Sequence, residues 1–262
     1  MRLKNKVAIV TGGGVGIGKA ISLAFASEGA AVVVAARTRS RLEAAADEIR
    51  SKGGRATAIP TDIADENQVR KMVAQTLNEY GQIDILVNNS AITGATANVV
   101  NIKLDDWNEE LAVSLTGAML CAREVLKSMV ARQSGNIINI SSDAGKSGYP
   151  MRSPYCVSKW GIIGLTQTLA MEVGGYNIRV NCIAPGWVEG ERLERVMKGR
   201  VEATGLTYEE VYGQVISGAI ARAALGRIVT AAEVASAAVF LASDESSGLT
   251  GQTISVDAGS GL

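Results

Sequence analysis

A tyrosine and a lysine stand four residues apart in Tyr155-Cys156-Val157-Ser158-Lys159. On a helix this spacing puts both side chains on one face, about one turn apart. A fixed ammonium beside a phenol favours the phenolate. The pair can therefore exchange a proton at neutral pH, where a free tyrosine with a pKa of about 10 cannot. The chain contains no histidine, which excludes His-dependent triads and His-based zinc sites, and no metal is expected. Proton transfer near pH 7 then falls to Tyr, Lys, Cys or a carboxylate with a shifted pKa. The same spacing also describes an ordinary exposed helix pair, so the elements around it decide its meaning.

Those elements belong to a chain of 262 residues, 47% hydrophobic, with 26 basic and 26 acidic side chains. This is enough apolar material for a sizeable core in one or two domains. The charge balance, without a basic block, argues against nucleic-acid binding. No apolar run approaches the ~20 residues that span a bilayer. The basic start, Met1 to Lys6, is followed by only four apolar residues, Val7 to Val10, too few for a signal segment. Cys121, Cys156 and Cys182 are odd in number and form no CxxC pair. They read as reduced core residues of a cytoplasmic protein.

Val7 to Val10 predicts a buried strand. It runs into Thr11-Gly12-Gly13-Gly14-Val15-Gly16-Ile17-Gly18 and then a helix over about 17–27. Strand, glycine-rich turn and helix form the setting in which glycines admit a pyrophosphate to free helix N–H groups. A second strand, 30–36, ends in Ala35-Ala36-Arg37. No carboxylate stands there to accept from a ribose 2′-OH, and Arg37 suits a 2′-phosphate, so NADP(H) is favoured and NAD(H) stays possible. Further strands are expected at 55–59, 83–88, 136–140, 178–183 and 252–256. Helices are expected at 42–51, 67–79, 105–131, from Pro154 onward, and at 229–243. This βαβα rhythm predicts a three-layer, doubly wound α/β Rossmann fold with a mostly parallel seven-stranded sheet. Residues 188–226 break the rhythm with two amphipathic segments, 192–203 and 208–221, and read as a helical substrate lid. With no linker or repeat, the chain reads as one domain over 1–262.

With these landmarks the sequence resembles the short-chain dehydrogenase/reductase family along essentially its full length. Thr11-Gly12, Gly16 and Gly18 match TGxxxGxG. Asp62 matches the acidic residue after the third strand, Asn88-Asn89 the start of NNAG, and Pro185-Gly186 the motif on the nicotinamide side. Ser142 stands thirteen residues before Tyr155, as in the family's Ser-Tyr-Lys site. The resemblance implies that Tyr155 exchanges a proton with the substrate oxygen. Lys159 lowers the Tyr155 pKa and holds the nicotinamide ribose, and Ser142 hydrogen-bonds the substrate oxygen. It also implies a cofactor site of Gly12, Gly14, Gly16, Ile17, Gly18, Arg37, Asp62, Ile63, Asn89, Tyr155, Lys159, Pro185, Gly186 and Val188.

Three positions depart from the pattern. Ser114 replaces the family's catalytic Asn, whose role runs partly through its backbone carbonyl, so Ser114 is kept as a catalytic candidate. Ala91 stands where NNAG has Gly, and Gly190 where a carboxamide-binding Thr is usual. The expectation is an oxidoreductase acting on a small secondary alcohol or ketone. A nucleotide-sensing protein that has lost catalysis is the alternative. Tyr149, Met151 and Trp187 are expected to line an apolar substrate pocket. Lys146, Arg152 and Arg192 can bind an acidic group, but are read as solvated charges. The long apolar helices at 105–131 and 153–173 imply a homo-oligomer, tetramer or dimer, as the family commonly forms.

Overall fold

A computed structural model describes residues 1–261. Seven strands form one parallel sheet: β1 (Val7–Thr11), β2 (Ala31–Ala36), β3 (Arg55–Pro60), β4 (Ile85–Asn88), β5 (Gly135–Ile140), β6 (Ile178–Pro185) and β7 (Thr253–Val256). Their order is β3-β2-β1-β4-β5-β6-β7, so the direction of progression reverses between β1 and β4. Ligands of such sheets bind beyond the strand ends at that switch point.

Strand residues alternate between two cores. Ala8, Val10, Val32, Val34, Ile85 and Val87 face one, and Ile9, Val33, Ala35 and Leu86 face the other. Both faces must be apolar, because helices cover both. The first core is closed by α1 (Gly16–Ser27), α2 (Arg39–Ser51) and a helix near the C-terminus (Ala231–Ala242), through Ile21, Phe25, Leu42, Ile49 and Val234. The second is closed by α3 (Glu66–Tyr80), a helix over Gly117–Arg132 and the helix that carries Tyr155. Asp65 caps α3 by accepting from the N–H groups of Asn67 and Gln68 at 2.8 and 3.2 Å. The doubly wound, three-layer architecture is thus the one expected.

Several boundaries differ. Pro60 belongs to β3 rather than leading out of it. β3 is an edge strand, so the missing proline N–H costs no ladder bond. The long helix expected over 105–131 is divided into α4 (Leu104–Leu111), a π-helical turn (Ala112–Thr116) and α5 (Gly117–Arg132). Such insertions bend a helix and recur at functional sites, and Ser114 sits in this one. The Tyr155 helix, α6, covers Ser153–Val173, with Pro154 in its first turn, where a missing N–H is harmless. The segment after β6 forms α7 (Glu191–Thr204), α8 (Tyr208–Tyr212), a second π turn and α9 (Gly218–Arg222). Leu193, Val196, Met197, Val211 and Ile216 give it a small core of its own. The Ala231–Ala242 helix, α10, starts two residues later than expected because Thr230 and Glu233 build a capping box there. No helix is long and apolar enough to cross a membrane among the described residues.

Candidate active site

Lys159 is anchored first. Its side chain is buried, and Nζ donates to the carbonyl of Ile140, the last residue of β5, at 2.8 Å. The Ser141 hydroxyl donates to the Lys159 carbonyl at 2.8 Å. These two bonds fasten the first turns of α6 to the end of β5. Tyr155 lies one turn back, its ring centroid 5.7 Å from Lys159 Nζ, so the sequence spacing does become a shared face. Two further cations meet the same ring: the Arg152 and Arg192 guanidiniums lie 5.0 and 5.1 Å from its centroid.

The electrostatics follow from this geometry. Burial raises the Tyr155 pKa, but Arg192, then Lys159, the Ser142 hydroxyl and Arg152 pull it down, and the net result lies below the ordinary value of 10. Lys159 is also lowered from 10.5. Burial is the chief cause, with Arg192 adding to it and Tyr155 opposing. The two groups move toward neutral pH, as acid–base work there requires. Ser142 follows β5 in extended backbone, and its Oγ accepts from the Ala144 N–H at 3.2 Å.

Ser114 does not join this network through its side chain. Its hydroxyl is buried without a hydrogen-bond partner, and the Lys159 ammonium bonds Ile140 instead. Glu110, one turn earlier on α4, is fully buried, and one of its oxygens accepts from the Ser158 hydroxyl at 3.1 Å. Glu110 and Ser158 escaped the sequence reading, because only packing of α4 on α6 brings them together.

The glycine-rich turn lies at the β1/β4 switch point. Thr11 Oγ1 accepts from the backbone N–H groups of Asn89 and Ser90 at 3.0 and 3.1 Å, and Asn89 Nδ2 donates to the Thr11 carbonyl at 2.9 Å. At Gly18 a Cβ would collide with the Gly12 carbonyl oxygen and the Asn89 side chain. Only glycine lets the helix start this close to the strand. Around Gly16 there is open space, and α1 begins with no side-chain cap and no acidic residue in its first turn. Its N–H groups and dipole are thus free for an anion. Gly14 backs onto Arg41 and shapes the turn. Ile17 stands in the first turn of α1. Arg37 is exposed at the end of β2. Asp62 is half-buried, its side chain capping the Ala64 N–H at 3.0 Å. Ile63 is buried in the second core, against Gly117.

On the other rim, Pro185 pairs with Val256, and Gly186 donates to the Val256 carbonyl at 3.0 Å. Val188 bridges to Val229. Tyr149 and Trp187 meet edge to face, with centroids 5.8 Å apart, and Met151 turns the chain at φ 67°. Gly190, where threonine was the family expectation, has φ 127°, a conformation L side chains rarely adopt. Gly190→Thr should therefore strain the start of α7 and lower stability by about 1–3 kcal/mol, read as a lower urea midpoint.

One expectation is corrected. Arg152 and Arg192 are not solvated charges. Arg152 is 1% exposed and Arg192 is half-buried. Arg152 donates to the Thr93 and Gly94 carbonyls and to Thr96 Oγ1, and Arg192 to the Ala91 and Ile92 carbonyls. Arg152 precedes Tyr155 by three residues, a spacing that could have flagged it. Arg192 is brought in by the fold of α7. Lys146 is exposed and donates to Ser255 at 2.6 Å.

A serine, a lowered tyrosine and a lysine past the end of β5, with an uncapped glycine-rich helix start past the end of β1, are the arrangement expected of a dinucleotide-dependent oxidoreductase on a Rossmann sheet. A family model described as enoyl-(acyl carrier protein) reductase matches residues 13–260. The chain is 38% identical over 259 residues to a 3-oxoacyl-(acyl-carrier-protein) reductase of Thermotoga maritima, covering 99% of both. Among solved structures it resembles an NAD+-bound xylitol dehydrogenase (TM-score 0.94, 32% identity, 99% of this chain and 100% of that one). It also resembles a levodione reductase (TM-score 0.93, 29% identity, 99% of both chains). The chain belongs to the short-chain dehydrogenase/reductase family and is an oxidoreductase acting on CH–OH and C=O groups, with hydride transfer to or from a nicotinamide dinucleotide.

Proposed function

We propose that this protein interconverts a small ketone and its secondary alcohol with NADP(H) in preference to NAD(H), with Tyr155 as the acid–base group. The observation that carries the reading is the Tyr155 ring set among three cations, with Arg152, Arg192 and the Lys159 ammonium 5.0, 5.1 and 5.7 Å from its centroid and Lys159 held by the Ile140 carbonyl; these charges lower the phenol pKa against the opposing effect of burial. The turn at Gly12, Gly16 and Gly18 suits a pyrophosphate, since the space around Gly16 is open and the start of α1 carries no side-chain cap and no acidic residue. Asp62, Ile63 and Asn89 would flank the adenosine half, Pro185, Gly186 and Val188 the nicotinamide half, with Ile17 at the helix start. When bound, the nicotinamide supplies or accepts the hydride at the substrate carbon. In reduction, Tyr155 donates its proton to the oxygen that becomes the alcohol. In oxidation, the Tyr155 phenolate takes the hydroxyl proton. Ser142 holds that oxygen, and Lys159 keeps the phenolate accessible. Tyr149, Met151 and Trp187 give the substrate an apolar wall, closed over by the 188–226 lid.

The NADP(H) preference rests on Arg37, exposed at the end of β2 where a 2′-phosphate would lie. Arg37→Asp should weaken NADPH binding about 10- to 100-fold, the worth of a charge-assisted hydrogen bond, and spare NADH. Fluorescence titration of both cofactors reads this; equal losses for the two would mean that Arg37 does not read the 2′-phosphate, and no loss for either would remove it from the cofactor site. The general reading is tested with secondary alcohols and ketones assayed against both cofactors, where no turnover of any pair would overturn it. We further propose a cytoplasmic homo-oligomer of single-domain subunits. It is supported by three unpaired buried cysteines and by exposed Leu104 on α4 and Val157, Trp160 and Met171 on α6.

A further inference from the structure

Among the described residues neither Arg152 nor Arg192 hydrogen-bonds a carboxylate. Both guanidiniums sit against the face of Tyr155, at 5.0 and 5.1 Å from the ring centroid. Their hydrogen bonds go to neutral acceptors, the carbonyls of Ala91, Ile92, Thr93 and Gly94 and the Thr96 hydroxyl. A guanidinium has five N–H donors, so each keeps donors in reserve. Arg152 Nε is buried without any partner. The two cations repel one another, and the destabilisation of the Arg152 charge comes from burial first and Arg192 second. Lys159 adds a third buried cation close by. The carboxylate that acts on Arg152 and Lys159 is Glu110, and one of its oxygens is taken by Ser158. Asp143 looks elsewhere, toward Asp257 and Ser260. Around the group that handles the substrate oxygen stand three cations, Arg152 and Lys159 buried and Arg192 half-buried, against the one buried carboxylate of Glu110, whose second oxygen has no hydrogen-bond partner; the net positive charge left is one that a bound anion would neutralise.

We propose that Arg152 and Arg192 form an anion subsite beside Tyr155, so that the substrate is a carboxylate-bearing carbonyl or hydroxyl compound, an oxo acid or its hydroxy acid. The class follows from the chemistry: a planar guanidinium fork matches a carboxylate in two parallel hydrogen bonds. With the carbonyl oxygen at Tyr155 and Ser142, a carboxylate a few bonds away reaches guanidiniums that already touch the Tyr155 ring. The loop 91–96, which supplies the carbonyls, holds both forks in place and lets them act without reorganising. This subsite deepens the ketone–alcohol reading and rests on it for the reacting group. The anion-binding function itself needs only the arginines.

Two measurements on the full chain with NADPH or NADP+ test it. The first compares kcat/KM for 3-oxobutanoate and for its methyl ester, in the wild type, Arg192→Met and Arg192→Lys. The acid should be favoured at least tenfold, Arg192→Met should remove most of that preference, and Arg192→Lys should keep part of it. A merely structural strut would lower both substrates alike, and so would a change in the Tyr155 proton affinity, leaving the ratio fixed. The second compares binding of butanoate and butanamide by calorimetry, which needs no turnover. Tighter binding of the carboxylate, lost in Arg192→Met, supports the subsite even if no ketone is reduced, in which case the reductase reading fails alone. Turnover of neutral ketones with acid and ester equivalent, and butanoate no tighter than butanamide, overturns the subsite and leaves the reductase reading standing.

Discussion

Tyr155→Phe should lower kcat by about 10²–10⁴-fold, the usual worth of a positioned general acid–base, with any substrate that the wild type accepts. The substitution deletes one oxygen and keeps the ring, so the contacts of Arg152 and Arg192 with its face persist. Cofactor affinity should change little, because the glycine cradle and the Asn89–Thr11 bonds lie on other elements. The check is steady-state turnover together with cofactor titration on the same preparation. Retained turnover with intact cofactor binding would remove Tyr155 from the chemistry. Loss of both would point to a collapsed site instead.

Lys159→Met should produce the second-largest effect, and it should be visible as a displaced pH profile. Oxidation needs the phenolate, so its rate rises with pH through the Tyr155 pKa. Lys159 is among the cations that hold this pKa below 10. Removing it raises the pKa, so the rising limb moves to higher pH and the rate at pH 7 falls, by about 10²-fold or more. Reduction needs the protonated phenol, so its falling limb also moves to higher pH. Both limbs should move the same way, because one group titrates in both directions. The Ile140 carbonyl loses its donor in this variant, at a cost of about 1–3 kcal/mol, so folding is checked by circular dichroism. An unmoved profile would mean that the arginines alone tune the phenol.

Much of this could be read along the chain because the signals are local. β1, the glycine turn and α1 are contiguous, and the hydrophobic runs of the strands follow from helices covering both faces of the sheet. The i,i+4 spacing of Tyr155 and Lys159 survives folding because a helix preserves it. Other features have no local signature. The π turn at Ala112–Thr116 leaves the apolar pattern of the long helix almost unchanged. Glu110 reads as one acid among several on α4, yet packing on α6 buries it completely. Gly190 read as the loss of a threonine, whereas its φ of 127° gives the glycine a backbone reason of its own.

The sequence by itself determined the doubly wound sheet, the glycine-rich turn after β1 and the shared helix face of Tyr155 and Lys159, each from periodicity or from spacing within contiguous elements. Ser142 lies on a different segment from α6 and was reached only through the family resemblance. Only the tertiary structure decided what surrounds Tyr155. Arg192 lies 37 residues beyond it, on α7, and reaches the ring because that helix folds back over the loop 91–96. A charge at that distance along the chain has no fixed distance in space until the chain folds. Its Coulomb effect, and so the proton affinity of the Tyr155 phenol, is a property of the packed molecule.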